Sequence, residues 1–153
     1  MRLLLQSIVF GDGDKIKTQY TCDGENISLP LSWNYESKDL KSFAIVCEDI
    51  DAQDKPFIHW IIFNIPGNYR ELLIDLTDLR GLPRGIKEGK NSFGKIGYNG
   101  PCPPEGEEHR YVFRIYALDS LLDLENGVDQ EQFLDAIQGH VLTEGELMGT
   151  YQR

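Results

Sequence analysis

The chain has 153 residues, enough for one domain with a sizeable core and too few to suggest two. Its 15 basic and 25 acidic residues leave a formal charge of -10, which excludes the general attraction to a phosphate backbone on which nucleic-acid binding relies. No apolar run approaches the roughly 20 residues needed to cross a bilayer, so a soluble protein without stable membrane insertion is expected.

Met1 to Phe10 joins a basic residue to an apolar run, but Gln6 and Ser7 interrupt it and no small-residue cleavage site follows. It reads as a first strand and not as a signal peptide. Gly11-Asp12-Gly13-Asp14 supplies a turn. Its paired aspartates are similar to the start of a calcium loop, yet the glycine and distal glutamate of such a loop are missing. Cys22, Cys47 and Cys102 are odd in number and lack the paired spacing of zinc or redox motifs, a pattern that favours reduced thiols in a cytoplasm. Asn26-Ile27-Ser28 fits a glycosylation acceptor, which carries no weight without an export signal.

Leu29 to Trp33 is a short strand entered through Pro30. Ser42 to Glu48 is a continuous apolar run, as expected of a core strand buried on both faces, and it ends in Glu48-Asp49-Ile50-Asp51. Carboxylates there can be aimed at a site, although an aspartate at a strand end more often begins a turn. Phe57 to Ile65 is the next core strand, closed by Pro66-Gly67, and His59 is its only ionisable residue. A histidine in an apolar strand is more often a satisfied core residue than a ligand. Proximity to Asp49 and Asp51 would reverse that, because a carboxylate on one ring nitrogen fixes the tautomer and leaves the other free.

Between Gly81 and Gly106 lie seven of the fifteen glycines and four of the seven prolines, with no periodicity. A loop of this length is functional unless it is disordered, and Gly97 to Pro104 stiffens its end. From His109 onward the residues alternate. His109, Tyr111, Phe113, Ile115 and Ala117 fall on one face, Arg110, Val112, Arg114, Tyr116 and Leu118 on the other. His109 therefore sits where a rigid loop meets a sheet, a place where scaffolds hold binding groups. Asp129 to Gly139 reads as a helix with a capping box to Gln132 and an apolar face of Phe133, Leu134 and Ile137. His140 follows its end and is given no site role. Gly145 to Tyr151 reads as a final short strand. Short strands, turn-rich connections and one late helix imply a mainly β, antiparallel sandwich, since a parallel sheet would need helical crossovers.

Tyr20-Thr21-Cys22-Asp23-Gly24-Glu25-Asn26-Ile27-Ser28, Pro30-Leu31-Ser32-Trp33, Glu48-Asp49-Ile50-Asp51-Ala52, His59-Trp60, Asn64-Ile65-Pro66, Gly97 to Pro104, His109-Arg110-Tyr111 and the ending His140 to Tyr151 carry a resemblance. In this order they resemble the phosphatidylethanolamine-binding protein family, in its bacterial and archaeal, Raf-kinase-inhibitor-like branch. The resemblance spans almost the whole chain, and Gly-Pro-Cys-Pro-Pro followed by His-Arg-Tyr is its most specific part. It implies a single domain over 1–153, a Greek-key sandwich of two antiparallel sheets, and a small pocket for phosphate, phosphorylethanolamine or a carboxylate anion. Matched position by position, the ligand-binding residues are Asp49, Asp51, His59, Gly100, Cys102, Pro104, His109 and Tyr111. Two positions depart from the family. Ile50 replaces the proline between the aspartates, so a looser turn is expected there, and Leu29 replaces the first proline before Pro30.

The resemblance further implies a regulator or inhibitor of a kinase or protease and a homodimer; no cofactor and no metal are expected, since no motif in the sequence marks a site for either. The enzymatic alternative uses Asp49, His59 and His109 as acid and base groups on a phosphoester or acyl substrate, with Cys102 the only candidate nucleophile. A zinc site from His59, His109 and a carboxylate has suitable ligand types but no diagnostic spacing. Anion affinity is expected to rise as pH falls through roughly 6.5, where an unperturbed histidine charges.

Overall fold

The computed structural model describes residues 3–76, 82–83 and 85–153. Its strands are β1 (Leu4–Gln6), β2 (Leu31–Asn34), β3 (Ser42–Asp49), β4 (Phe57–Pro66), β5 (Glu71–Leu72), β6 (Lys87–Glu88), β7 (Glu108–Leu118) and β8 (Val141–Gln152), with helix α1 (Gln130–Ile137) before the last. Strands β6-β4-β3-β7-β8 form one antiparallel sheet and β1-β2-β5 a smaller one, the β-rich sandwich expected. Met1 and Arg2 of the expected first strand, and Gly81 and Arg84 of the long loop, lie outside the described residues.

β3 is apolar from Phe43 to Cys47 because both of its faces are covered there. Phe43, Ile45 and Cys47 pack with Leu5, Leu31, Trp33 and Leu72 beneath the small sheet, while Ala44 and Val46 pack with Phe133 and Ile137 of α1. Each fully buried side chain of this size contributes about 1.5–3 kcal/mol of transfer free energy. The helix is fixed at its start by the expected capping box: Gln132 N donates to Asp129 Oδ1 at 2.8 Å and Asp129 N to Gln132 Oε1 at 3.1 Å.

β8 is longer than the sequence suggested, pairing with β7 from Glu108 to Leu118. Its first half was hidden because Thr143, Glu144 and Gly145 carry no strand signal, yet backbone pairing asks little of side chains. The turn at Asp12 and Asp14 protects its free edge. Gly13 N donates to Met148 O at 2.7 Å, Ile16 N to Thr150 O at 2.8 Å, and Met148 N to the Asp12 carboxylate at 2.9 Å.

The expectation of reduced thiols fails for two of the three cysteines. Cys22 and Cys102 form a disulfide across 80 residues of sequence, leaving Cys47 free and buried. Spacing along the chain detects only local pairs, whereas these two loops meet in space: Cys22 N donates to Pro101 O at 3.1 Å, Gly100 N to Asn26 Oδ1 at 2.7 Å, and the Tyr98 hydroxyl to Tyr20 O at 2.6 Å. The argument for a cytoplasm that rested on free thiols loses its footing. Among the described residues no helix is long and apolar enough to cross a membrane.

Candidate ligand-binding site

A cavity of about 250 Å³ opens where the end of β3, the start of β4, the proline loop and the start of β7 converge, with Asp49, His59, Cys102, Pro104 and His109 in its wall. A β-bulge delivers His59. Cys47 pairs with Trp60 and Glu48 with Ile58, so His59 is the extra residue on β4. The bulge shifts the strand's alternation, putting Ile58 in the core beside α1 and Trp60 in the core beneath the small sheet. His59 Nδ1 donates to Asn99 O at 2.7 Å, which leaves Nε2 as the acceptor nitrogen. Burial holds its pKa below the ordinary histidine value, against the pull of the Asn99 carbonyl and the Asp49 charge.

His109 is held differently. Nδ1 meets Asp49 Oδ2 at 2.7 Å and Nε2 meets Glu107 Oε1 at 3.0 Å, so with both carboxylates ionised both nitrogens donate and the ring is an imidazolium. Burial opposes that charge, but the two carboxylates outweigh it and raise the pKa above the ordinary value. The carboxylate expected beside His59 thus orients His109, and a backbone carbonyl orients His59.

The two histidines pull the stability profile in opposite senses. The raised pKa of His109 stabilises fully below about pH 6.5, and its contribution is lost as pH rises through the folded-state value. The lowered pKa of His59 stabilises above about pH 6.5 and is lost as pH falls through the folded-state value. His109→Gln is therefore expected to lose more stability at about pH 6 than at about pH 8, and His59→Gln the reverse. Urea denaturation at both pH values checks this, and parallel losses in the two variants would contradict it.

Asp51 faces away from the cavity. Its carboxylate accepts from Arg110 N at 2.8 Å, Nε at 3.0 Å and Nη2 at 2.8 Å, and these bonds lower its pKa to about 2. The turn between the aspartates is not loose. Asp51 N donates to Asp49 Oδ1 at 2.9 Å, and Ile50 N, which a proline would lack, donates to Arg110 O at 3.1 Å. Gly100 also stays out of the wall: it lies against Tyr20, whose carbonyl would collide with any Cβ at this position. Tyr111 lies edge-on to His59 with ring centroids 5.2 Å apart and is fully buried. Among the described residues its hydroxyl is the one buried side-chain polar atom without a hydrogen-bond partner. Burial, followed by the Asp49 charge, pushes its pKa up.

Sequence reasoning missed the other wall. Phe57, Phe93 and His59 meet as three rings with centroids 5.2–5.3 Å apart, and Asp54 and Glu107 add carboxylates. The period-two pattern that joined His109 to Tyr111 extends back to Glu107 and was the signal available for it. Phe93 is projected by Asn91, a buried amide that donates to Gly97 O at 3.0 Å and Asn99 Oδ1 at 2.8 Å and accepts from Phe93 N at 3.0 Å. No periodicity marks such a residue. Among the described residues no group of three or more His, Cys, Asp or Glu is arranged to hold a metal ion.

The phosphatidylethanolamine-binding protein family model matches residues 6–152. A UPF0098 protein of Methanothermobacter thermautotrophicus is 50% identical over 149 residues, which cover 97% of this chain and 98% of that one. A solved structure from Chlamydia trachomatis, described as a homologue of the phosphatidylethanolamine-binding proteins, superposes with a TM-score of 0.88 at 38% identity, covering 99% of this chain and 98% of that one. Escherichia coli YbcL, described as a new member of the mammalian family, superposes with a TM-score of 0.92 at 27% identity over 100% of this chain and 99% of its own. The His-Arg-Tyr strand, the proline loop and the Asp-x-Asp turn thus stand in a sandwich shared with these proteins, and the chain belongs to the phosphatidylethanolamine-binding protein family.

Proposed function

We propose that the protein recognises a small phosphate ester or carboxylate that also carries an ammonium group, such as phosphorylethanolamine. The observation that carries this reading is that both signs of charge face one cavity of about 250 Å³: the His109 imidazolium beside Asp49, Asp54 and Glu107, with no lysine or arginine among the described residues of the wall. A bare anion meets an excess of carboxylate there, whereas a zwitterion satisfies both signs. The rings of Phe57 and Phe93, which meet His59 in the wall, are of the type whose faces attract a cation. The volume suits a headgroup and leaves no room for acyl chains.

We read the chemistry as recognition: Cys102, the one thiol the sequence offered as a nucleophile beside the cavity, is held in the disulfide. Isothermal titration is expected to give a measurable affinity for phosphorylethanolamine, stronger than for inorganic phosphate. Affinity for both should rise as pH falls below about 6.5, where His59 gains a second positive charge for the site, displaced downward by its lowered pKa. Absence of heat, together with unshifted His59 and His109 ring resonances on adding phosphorylethanolamine, would overturn the reading. Release of inorganic phosphate from that compound would overturn the reading of recognition in favour of turnover.

A regulatory role builds on the same surface. Exposed Phe93 and Pro104 border the cavity and offer anchors to a kinase or protease. Inhibition of such an enzyme that phosphorylethanolamine relieves is the result expected of a pocket-dependent partner.

A further inference from the structure

Glu107 occupies the Nε2–H of His109 on the cavity side. Of the two N–H groups of His109, Nδ1 is committed to Asp49, whose carboxylate is 6% exposed and is also held by Asp51 N. Nε2 is committed to Glu107, whose side chain is 59% exposed and has no other hydrogen bond or ion pair among the described residues. The first carboxylate is built into the wall, and the second hangs from the loop end beyond Gly106. Asp54 and His59 face the cavity from β4 and the loop before it, Tyr111 lies behind, and Asp51 acts on His109 only at a distance through its charge. Glu107 alone both touches His109 and is free to leave it.

We infer that Glu107 sets the ligand specificity of this pocket: it occupies the anion position as an internal competitor, and a bound ligand displaces it from His109 and gives it an ammonium group to pair with. The inference rests on the zwitterion reading given above and deepens it. Bare phosphate must displace a carboxylate and then lie beside it, two like charges in a small cavity. A zwitterion makes the same displacement but returns a counter-charge to Glu107, which bare phosphate cannot do.

The test is titration of inorganic phosphate and of phosphorylethanolamine into the wild-type protein, Glu107→Gln and Glu105→Gln. Glu105 is an exposed loop residue outside the cavity wall and controls for net charge. Glu107→Gln is expected to bind inorganic phosphate about tenfold more tightly while gaining little for phosphorylethanolamine, so the preference between the two ligands collapses. Glu105→Gln should keep the wild-type preference. The ring resonances of His109 should titrate at lower pH in Glu107→Gln, since one of its two carboxylates is gone. An unchanged preference in Glu107→Gln, or an equal change in Glu105→Gln, overturns the specificity role and leaves the zwitterion reading standing. Binding of neither ligand to any of the three proteins overturns both.

Discussion

Replacing Cys22 and Cys102 together by serine is expected to lower stability by about 4.5 kcal/mol and the melting temperature by on the order of 10 °C. The size follows from the sequence separation of 80 between the partners: cross-linking removes the entropy of a long closed loop from the unfolded chain. The folded state keeps most of what joins the two loops. Cys22 N still reaches Pro101 O, the Tyr98 hydroxyl still reaches Tyr20 O, and Gly100 N still reaches Asn26. The serine variant should therefore fold and keep its pocket while melting earlier, and the wild-type protein with a dithiol reductant should melt alongside it. Thermal unfolding followed by circular dichroism, with thiol titration to prove reduction, measures this. A fully reduced protein with an unshifted transition would show that the unfolded chain gains nothing from the link.

His109→Ala is expected to cost about 3 kcal/mol of stability and to weaken phosphorylethanolamine binding by at least about tenfold. Asp49 is 4% exposed, and without the imidazolium its buried charge loses its one cationic partner among the described residues while keeping the Asp51 N–H. An isolated buried carboxylate is unfavourable, so it takes up a proton or draws in water, and either response weakens the packing at the junction of β3 and β7. His109→Gln retains a donor and most of the volume, and should recover part of the stability without recovering the charge that meets the anion. Chemical denaturation and calorimetric titration separate the two effects. Equal stability and equal affinity in the alanine variant would remove His109 from both roles.

The core of the fold was legible because two patterns are strong: unbroken apolarity for β3, which has a core on each face, and alternation for β7. Asp49 and His109 were also legible, since the Asp-x-Asp turn and His-Arg-Tyr strand are specific motifs and the strands that carry them are neighbours in the sheet. What remained hidden depends on contacts across the chain. The disulfide is set by two loops meeting 80 residues apart, and the hydrogen bond that orients His59 comes from a backbone carbonyl, a group every residue has. Asp51 illustrates the opposite error. It sits at the right spacing, but β3 ends at Asp49 and the chain turns at Ile50 and Asp51, so alternation no longer fixes the side chain's direction and Arg110 captures it.

The bulge at His59 gives the monotony of β4 a second meaning. A strand that alternates between apolar and polar residues cannot slip its phase, because the slip would bury the polar set and strand the apolar one in water. β4 is apolar on both sides of His59, so it can change phase there at little cost and fill a different core on each side of the break. Uniform hydrophobicity here is permission: it frees one position from the duty of filling a core and leaves that position open to an imidazole.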